Sequence, residues 1–512
     1  MPENLASFKV FCQGGLNTSR DVLSQGETQP GSAVRLINYE PSVTGGYRKI
    51  NGFSNDYGTV TGTGNILGVC VMDGINDGIL ACRAPSTGSQ YFYYWDATAE
   101  SWSAVTVTGS PTMTGVTKVR FTKYNWGNAK VLLTDGVNPA ATYDGTTYTQ
   151  ITHATAPSAP KYSTMFKNHM WLAGDSTEPQ NVYFSAPYDE TDFSPASGAG
   201  VVNVGFDVVA IKPFRDTLYI FGTTNIRKLV GDNISNFQLQ EVTDNLGCMA
   251  TDSVIEIGGD LLFLSQDGLR PVSATDRIGD VNLETVSKDI QSIFTDIVFD
   301  IDLDTLNAAV IRQKSQFRYF FGGTDTQGII GGFREINGGI QFEYGQLLGI
   351  SATCADSGYI GQYEYVIHGN TDGKVHRQEQ GNDFDGGNIF SLFQTPYYHM
   401  EDPEQRKIFY NVATYLRSEG DNEIVMSMLY DYDDFLTLNP SDFNLVTEGA
   451  AAYYNEALYN STAIYDGNPS PVQRSNISGS GKSAAIRYVT NSTDASHSVQ
   501  GIVITFGVGD RL

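Results

Sequence analysis

Along most of the chain, short runs rich in Tyr, Phe, Val, Ile and Thr alternate with clusters of Gly, Asn and Asp. Such runs fit a pleated, half-buried surface, and the clusters between them supply turns. One pattern recurs: a short apolar strand, a Gly/Asp/Asn turn, then a second strand. Its strands are Gly78–Cys82, Lys130–Leu133, His169–Leu172, Leu218–Phe221, Leu261–Leu264, Arg318–Phe321 and Tyr365–Ile367. Their last apolar residues follow one another at intervals of 39 to 57 residues. Turn dipeptides come after several of them, including Asp135-Gly136, Gly174-Asp175, Asp267-Gly268, Gly322-Gly323 and Asp372-Gly373. A period of roughly 40–50 residues with several strands per unit is a β-propeller signature. A small sheet cannot bury both faces alone, whereas a ring of them can, leaving only short edges. The expected fold is therefore all-β, with a β-propeller of six or seven blades over residues 56–394.

The two ends break this period. Residues 1–55 carry Gly14-Gly15-Leu16-Asn17, a polar stretch to Pro30-Gly31 and Gly45-Gly46-Tyr47-Arg48-Lys49, and are expected to form an extended N-terminal arm. Residues 395–512 hold strand-like runs near Ile408–Leu416, Glu423–Tyr430, Ala484–Val489 and Val499–Phe506, around a tyrosine-rich loop at 451–466. They are expected to form a C-terminal β-sandwich-like platform domain. One helix is signalled: Leu283, Val286, Ile290, Ile293, Phe294 and Ile297 share a face, with Asn282 placed to cap it and Glu284 near its positive end. It reads as an insertion between blades, near 283–298.

Charge narrows the function classes. The 512 residues include 32 Lys plus Arg and 57 Asp plus Glu, a net charge of −25. A groove gripping nucleic acid needs clustered Lys and Arg, and so does a polybasic membrane patch. The acids are uneven: Ser418 to Gln473 holds ten and no Lys or Arg. No uncharged apolar run approaches 18 residues, so no membrane insertion is expected. The five Cys are far apart without a C-x-x-C, as for reduced, buried thiols, and the first residues do not read as a signal peptide.

Motifs that carry chemistry fail on spacing or context. Ser478-Gly-Ser-Gly-Lys482-Ser483 lacks the first P-loop glycine, having Asn476 there, and the alternating run after it reads as a strand. Gly62-Thr-Gly64-Asn-Ile-Leu-Gly68 has one residue too many for a dinucleotide fingerprint. Asp300-x-Asp302-x-Asp304 opens like a calcium loop, but Thr305 and Ile311 stand where Gly and the bidentate Glu belong. The six His show no zinc spacing, and there is no G-x-S-x-G elbow. Ser265-Gln-Asp267-Gly-Leu-Arg-Pro271 lacks the later Gly and Trp of a sialidase Asp-box. The string Tyr91-Phe-Tyr-Tyr-Trp95 suits blade cores better than a stacking platform. No enzyme activity, metal or cofactor is expected from these residues.

The order of several segments carries a resemblance. Gly14-Gly15-Leu16-Asn17 is followed by Gly46-Tyr-Arg-Lys-Ile-Asn-Gly-Phe53, then Asn181-Val-Tyr-Phe-Ser185-Ala-Pro-Tyr-Asp189 through Phe193, then Leu264-Ser-Gln-Asp267-Gly268-Leu, and finally Val499-Gln-Gly-Ile-Val-Ile-Thr-Phe506. The chain thereby resembles the tail hub, or nozzle, proteins of short-tailed bacteriophages, also called tail tubular protein B or head-completion stabilisation proteins. The resemblance spans most of the chain, which is compact for that family. It implies a structural virion protein of the tail, assembled in the host bacterial cytoplasm. Six copies would surround the DNA channel below the portal and the tail adaptor (head-to-tail connector), with a platform meeting tail fibres or spikes. Genomic DNA would pass through the lumen without specific binding.

Acidic walls repel phosphates, and a DNA conduit should guide without adhesion. The candidate DNA-repelling channel surface is Asp296, Asp300, Asp302 and Asp304, with Asp431, Asp433 and Asp434. The competing expectation is a carbohydrate-binding or glycan-cleaving propeller.

Overall fold

The computed structural model describes residues 5–42, 45–273, 285–300, 302–322, 326–336, 339–434, 437–447 and 471–508. Six small sheets stand in a ring as the six blades of a β-propeller. Blade 1 runs from Thr63–Val71 to Ser101–Ala104, blade 2 from Arg120–Trp126 to Tyr148–Gln150, and blade 3 from Tyr162–Phe166 to Gly200–Asn203. Blade 4 runs from Ala210–Phe214 to Gln238–Thr243, and blade 5 has, among the described residues, three strands from Ile255–Ile257 to Gly268–Pro271. Blade 6 runs from Cys354–Ile360 to Val375–Gln378, and its fourth strand is Phe53–Ser54, from the segment that precedes blade 1. That pairing, Arg377 with Ser54 and Gln378 with Phe53, closes the ring.

Two larger sheets make up the rest. One has seven strands, centred on His497–Val508 and Lys407–Ser418. The other has nine. Its first strand, Asn307–Ile311, packs between the inner strands of blades 5 and 6, so seven inner strands bound the propeller channel. This explains why the sequence period yields seven anchors. Each falls on the second strand of a sheet, and Arg318–Phe321 begins in the second strand of this wedge. These second strands are buried on both faces, as at Leu132, Trp171, Ile220 and Phe263, so they read as unbroken apolar runs.

The seven- and nine-stranded sheets pack face to face as a sandwich. Thr414 Oγ1 and Tyr488 Oη meet across the interface at 2.8 Å, and the Phe409 and Tyr430 rings stack at 5.0 Å. All four expected C-terminal strands are present, at Lys407–Ser418, Asn422–Tyr430, Ala484–Ser492 and His497–Val508. The 451–466 loop lies outside the described residues.

The extended N-terminal arm is woven into both large sheets. Leu5–Phe11 pairs antiparallel with His497–Val508 from Leu5–Gly507 to Phe11–Gly501. Tyr39–Pro41 and Tyr47–Lys49 extend the same sheet. Arg35–Ile37 lies between Gly339–Leu348 of the wedge and Ile389–Gln394 of the sandwich, and so fuses the two parts into one nine-stranded sheet. The boundary near 394 shifts as well, since Ile389–Gln394 is a sandwich strand.

The inserted helix is present but starts later than expected. A short 3-10 turn, Lys288–Ile290, leads into Gln291–Asp300. Ile290 and Phe294 are buried. Asn282, Leu283 and Glu284 fall outside the described residues. A second helix, Val22–Thr28, was not expected; Asp21 caps it by accepting the Ser24 N–H at 2.8 Å.

Candidate functional site: the propeller channel

The first strand of each blade faces the ring axis, and its side chains line a cavity of about 580 Å³. In this acidic chain the lining is basic: Lys118, Arg120, Lys123, Lys212 and Arg312 against Asp252, Glu256 and Asp356. Lys118 donates to Asp252 Oδ2 at 2.7 Å and to the Leu306 carbonyl at 2.9 Å. Arg120 grips the same carboxylate, with Nη2 to Oδ2 at 2.9 Å and Nε to Oδ1 at 3.2 Å, and its guanidinium lies over the Tyr162 ring at 5.4 Å. Burial pushes the Asp252 carboxyl upward, but Arg120 and Lys118 outweigh it and hold the pKa well below the usual range. Lys123 pairs with Asp356 at 2.6 Å, and Asp356 also accepts the Val71 N–H at 2.7 Å.

Two cations are less committed. Arg312 donates to Ser357 Oγ at 3.1 Å, and its side chain is 49% exposed. Lys212 projects from the middle of blade 4's first strand. Among the described residues its ammonium makes no hydrogen bond or ion pair. Its side chain is exposed on the channel wall. Desolvation lowers its pKa, opposed mainly by the charges of Asp252 and Asp356.

A second concavity, of about 870 Å³, opens beside blade 1. Half-buried Trp95, Trp102 and Tyr365 line it together with Asp56, Asp77 and Glu100. Trp102 Nε1 donates to the Tyr57 carbonyl at 2.7 Å, and the Arg377 guanidinium lies 4.1 Å over the Tyr365 ring.

The acidic candidates divide between two places. Asp296 is exposed on the inserted helix, and Asp300 ends that helix. Asp302 and Asp304 are exposed in the turn that follows, where Asp302 Oδ1 accepts the Asp304 N–H at 3.1 Å. The Asp304 carbonyl reaches the Lys118 ammonium at 3.4 Å, which puts this turn at a mouth of the channel. Asp431, Asp433 and Asp434 lie on the sandwich. There Asp431 Oδ1 accepts the N–H groups of Lys482 and Ser483 at 2.7 and 3.0 Å, and Asp433 accepts from Asn439 Nδ2 at 2.6 Å. Within one chain the two clusters do not meet. The Ser478–Ser483 stretch is a hairpin loop, with Ser480–Gly481 paired to Lys407–Ile408.

The basic lining escaped the sequence reading. Its signal was the placement of Lys123, Lys212 and Arg312 on or just after the first strand of a repeat unit. Among the described residues, no cluster of three His, Cys, Asp or Glu is arranged for a metal, and no helix is long and apolar enough to cross a membrane.

No protein-family model and no curated protein matches this chain. Solved structures align with this chain only at low identity and low TM-score. The computationally designed Ika8 protein aligns at 10% identity and a TM-score of 0.33, over 62% of this chain and 98% of its own. The extracellular domain of a two component system from B. thetaiotaomicron aligns at 10% identity and 0.41, over 67% and 44%. An ancestral GH74 enzyme aligns at 10% identity and 0.39, over 72% and 52%. The chain thus spans about half the length of the latter two.

Proposed function

We propose that this chain is a non-enzymatic structural subunit of a short-tailed phage tail. Six copies would ring the DNA channel below the portal and adaptor and carry fibres or spikes. The observation that carries the reading is where two segments of the resemblance, Gly14–Asn17 and Gly46–Phe53, fall: at the joints of the fold. Gly14 N–H donates to Glu343 Oε1 at 2.6 Å, Leu16 N–H to the Tyr344 carbonyl at 2.7 Å, and Asn17 Nδ2 to Asp289 Oδ1 at 3.1 Å. Gly15 sits at φ +66°, where a Cβ would come 2.6 Å from Tyr344 N. Gly46–Phe53 is the crossover from sandwich to propeller. Tyr47 pairs with Val499, and Phe53 closes the ring. Shared strands and crossovers stiffen the two units against each other, which suits a load-bearing ring.

Mass measurement and negative-stain microscopy of the purified protein test this proposal. The expected particle is a hollow six-fold ring whose lumen presents at least one acidic cluster. A monomer that retains or hydrolyses glycans would overturn it in favour of the second reading, a carbohydrate-binding propeller. The feature supporting that reading is the concavity beside blade 1, where half-buried Trp95 and Trp102 lie beside carboxylates.

A further inference from the structure

The propeller channel holds more positive charge than its own acids neutralise. Asp252 is shared by Lys118 and Arg120, and Asp356 is taken by Lys123. Lys212 remains without a partner among the described residues. Arg312 has Glu364 3.6 Å from its guanidinium, held there by the N–H groups of Arg312 and Gln313 at 2.8 and 3.0 Å, yet keeps an exposed face toward the channel. Glu256, the third acid of the lining, is exposed.

Protein walls raise the field of these charges above its value at an open surface, because field lines concentrate in a cleft of low dielectric. The Lys212 ammonium stands exposed in that field with no hydrogen bond or ion pair among the described residues. Nearby protein lowers its pKa, opposed mainly by Asp252 and Asp356, and a bound anion would raise it. The cavity, about 580 Å³, falls within the range of small-ligand pockets. It lies inside one chain, lined by the first strands of the blades.

We propose that the propeller channel binds a small multivalent oxyanion, with Lys212 and Arg312 as its ligands and the salt-bridged Lys118, Arg120 and Lys123 as fixed positive walls. Inorganic pyrophosphate is the first probe, titrated calorimetrically into the full chain in low-salt chloride buffer, with citrate as a carboxylate probe of comparable charge. The expected result is saturable binding of one anion per chain, weakening as salt rises. Each charged hydrogen bond lost should weaken it ~10-fold or more, so Lys212→Gln and Arg312→Gln each shift the titration by that factor. Lys9→Gln, an exposed site on the sandwich, should leave it unchanged. Binding of both probes assigns the site to oxyanions in general, and pyrophosphate alone narrows it to phosphates. Lys212 has no partner to orphan, so its replacement should leave the melting temperature of the free chain where it was. The proposal is overturned by the absence of saturable binding up to ~10 mM of either probe, or by binding that both channel substitutions leave intact.

Discussion

Arg318 is fully buried, yet it is a guanidinium surrounded by acids drawn from distant parts of the chain. It reaches Glu40 at 3.4 Å, donates to Gln378 Oε1 at 2.9 Å and pairs with Glu379. Lys314 and Arg48 meet the same Glu40 at 2.7 and 3.1 Å, and Arg48 continues to Glu419 at 2.5 Å. The cluster thus connects the wedge, the N-terminal strands, blade 6 and the sandwich. Burial alone would push the Glu379 carboxyl upward, but Arg318 and Lys314 bring it down to about 2. Breaking a buried ion pair by removing one partner leaves an uncompensated charge and costs about 3–5 kcal/mol. Arg318→Met should therefore lower unfolding stability by about that much in a denaturant titration. Adding Glu379→Gln should recover part of the loss, since one stranded carboxylate is then removed. An Arg318→Met protein as stable as the parent would show that the cluster is not held together through Arg318.

Among the elements, those with a local signal were legible and those made by distant pairing were not. Central blade strands announce themselves as apolar runs because both faces are covered, and the four sandwich strands by long β-type runs with one buried face. The first strands were harder to place, since Arg120, Lys123 and Lys212 turn toward a watered channel and break the apolar pattern. Nothing near Leu5–Phe11 or Arg35–Ile37 tells of partners at the far end of the chain, so the arm could not be read as three joints. The acids at 296–304 and 431–434 were visible as clusters, but which way they face in an assembly is a property of the assembly. One of these joints makes a sharp test. A Cβ at Gly52 would lie 1.7 Å from the Asp383 carbonyl oxygen, beside the strand that closes the ring. Gly52→Val should force Phe53–Ser54 away from Val375–Gln378 and accelerate limited proteolysis at the closure. Gly58→Ala is the control. It has φ +62° but open space around it, so only the backbone cost of about 1 kcal/mol should appear. Equal protease resistance of the Gly52→Val and parent proteins would argue against a closure that depends on this contact.

At the scale of the whole molecule, the buried histidines and paired carboxylates set how the fold responds to acid. His497 is buried against Tyr39 Oη at 2.8 Å, and burial, with Lys49 and Arg48 nearby, lowers its pKa to about 3. His368 is lowered well below 6.5 by burial and by His376, whose ring stacks on it at 5.1 Å. His169, His376 and His399 are lowered too, each chiefly by burial. A folded pKa below the unfolded value of 6.5 means that the unfolded chain takes up protons first. Stability is therefore complete above pH 6.5 and falls as pH drops toward the folded pKa. For His497 alone, the loss approaches about 2 kcal/mol by pH 5. The carboxylates form a later stage. Glu379 and Asp175 are lowered to about 2, so their contribution persists down to the ordinary carboxylate range and disappears only as pH falls through 2. The net charge of −25 works the other way, since acidification relieves self-repulsion. That repulsion acts between exposed charges and is screened beyond about 8 Å at physiological salt, whereas the cost of protonating a buried imidazole is not. At about 0.15 M salt the melting temperature should thus begin to fall between pH 7 and 5, before the carboxylates titrate, and fall again below about 4.5. His497→Asn should flatten the first stage relative to its own value at pH 7.5. A melting temperature that holds constant from pH 7.5 to 5 in both proteins would mean that the imidazole stays hydrated in solution and that the first stage does not exist.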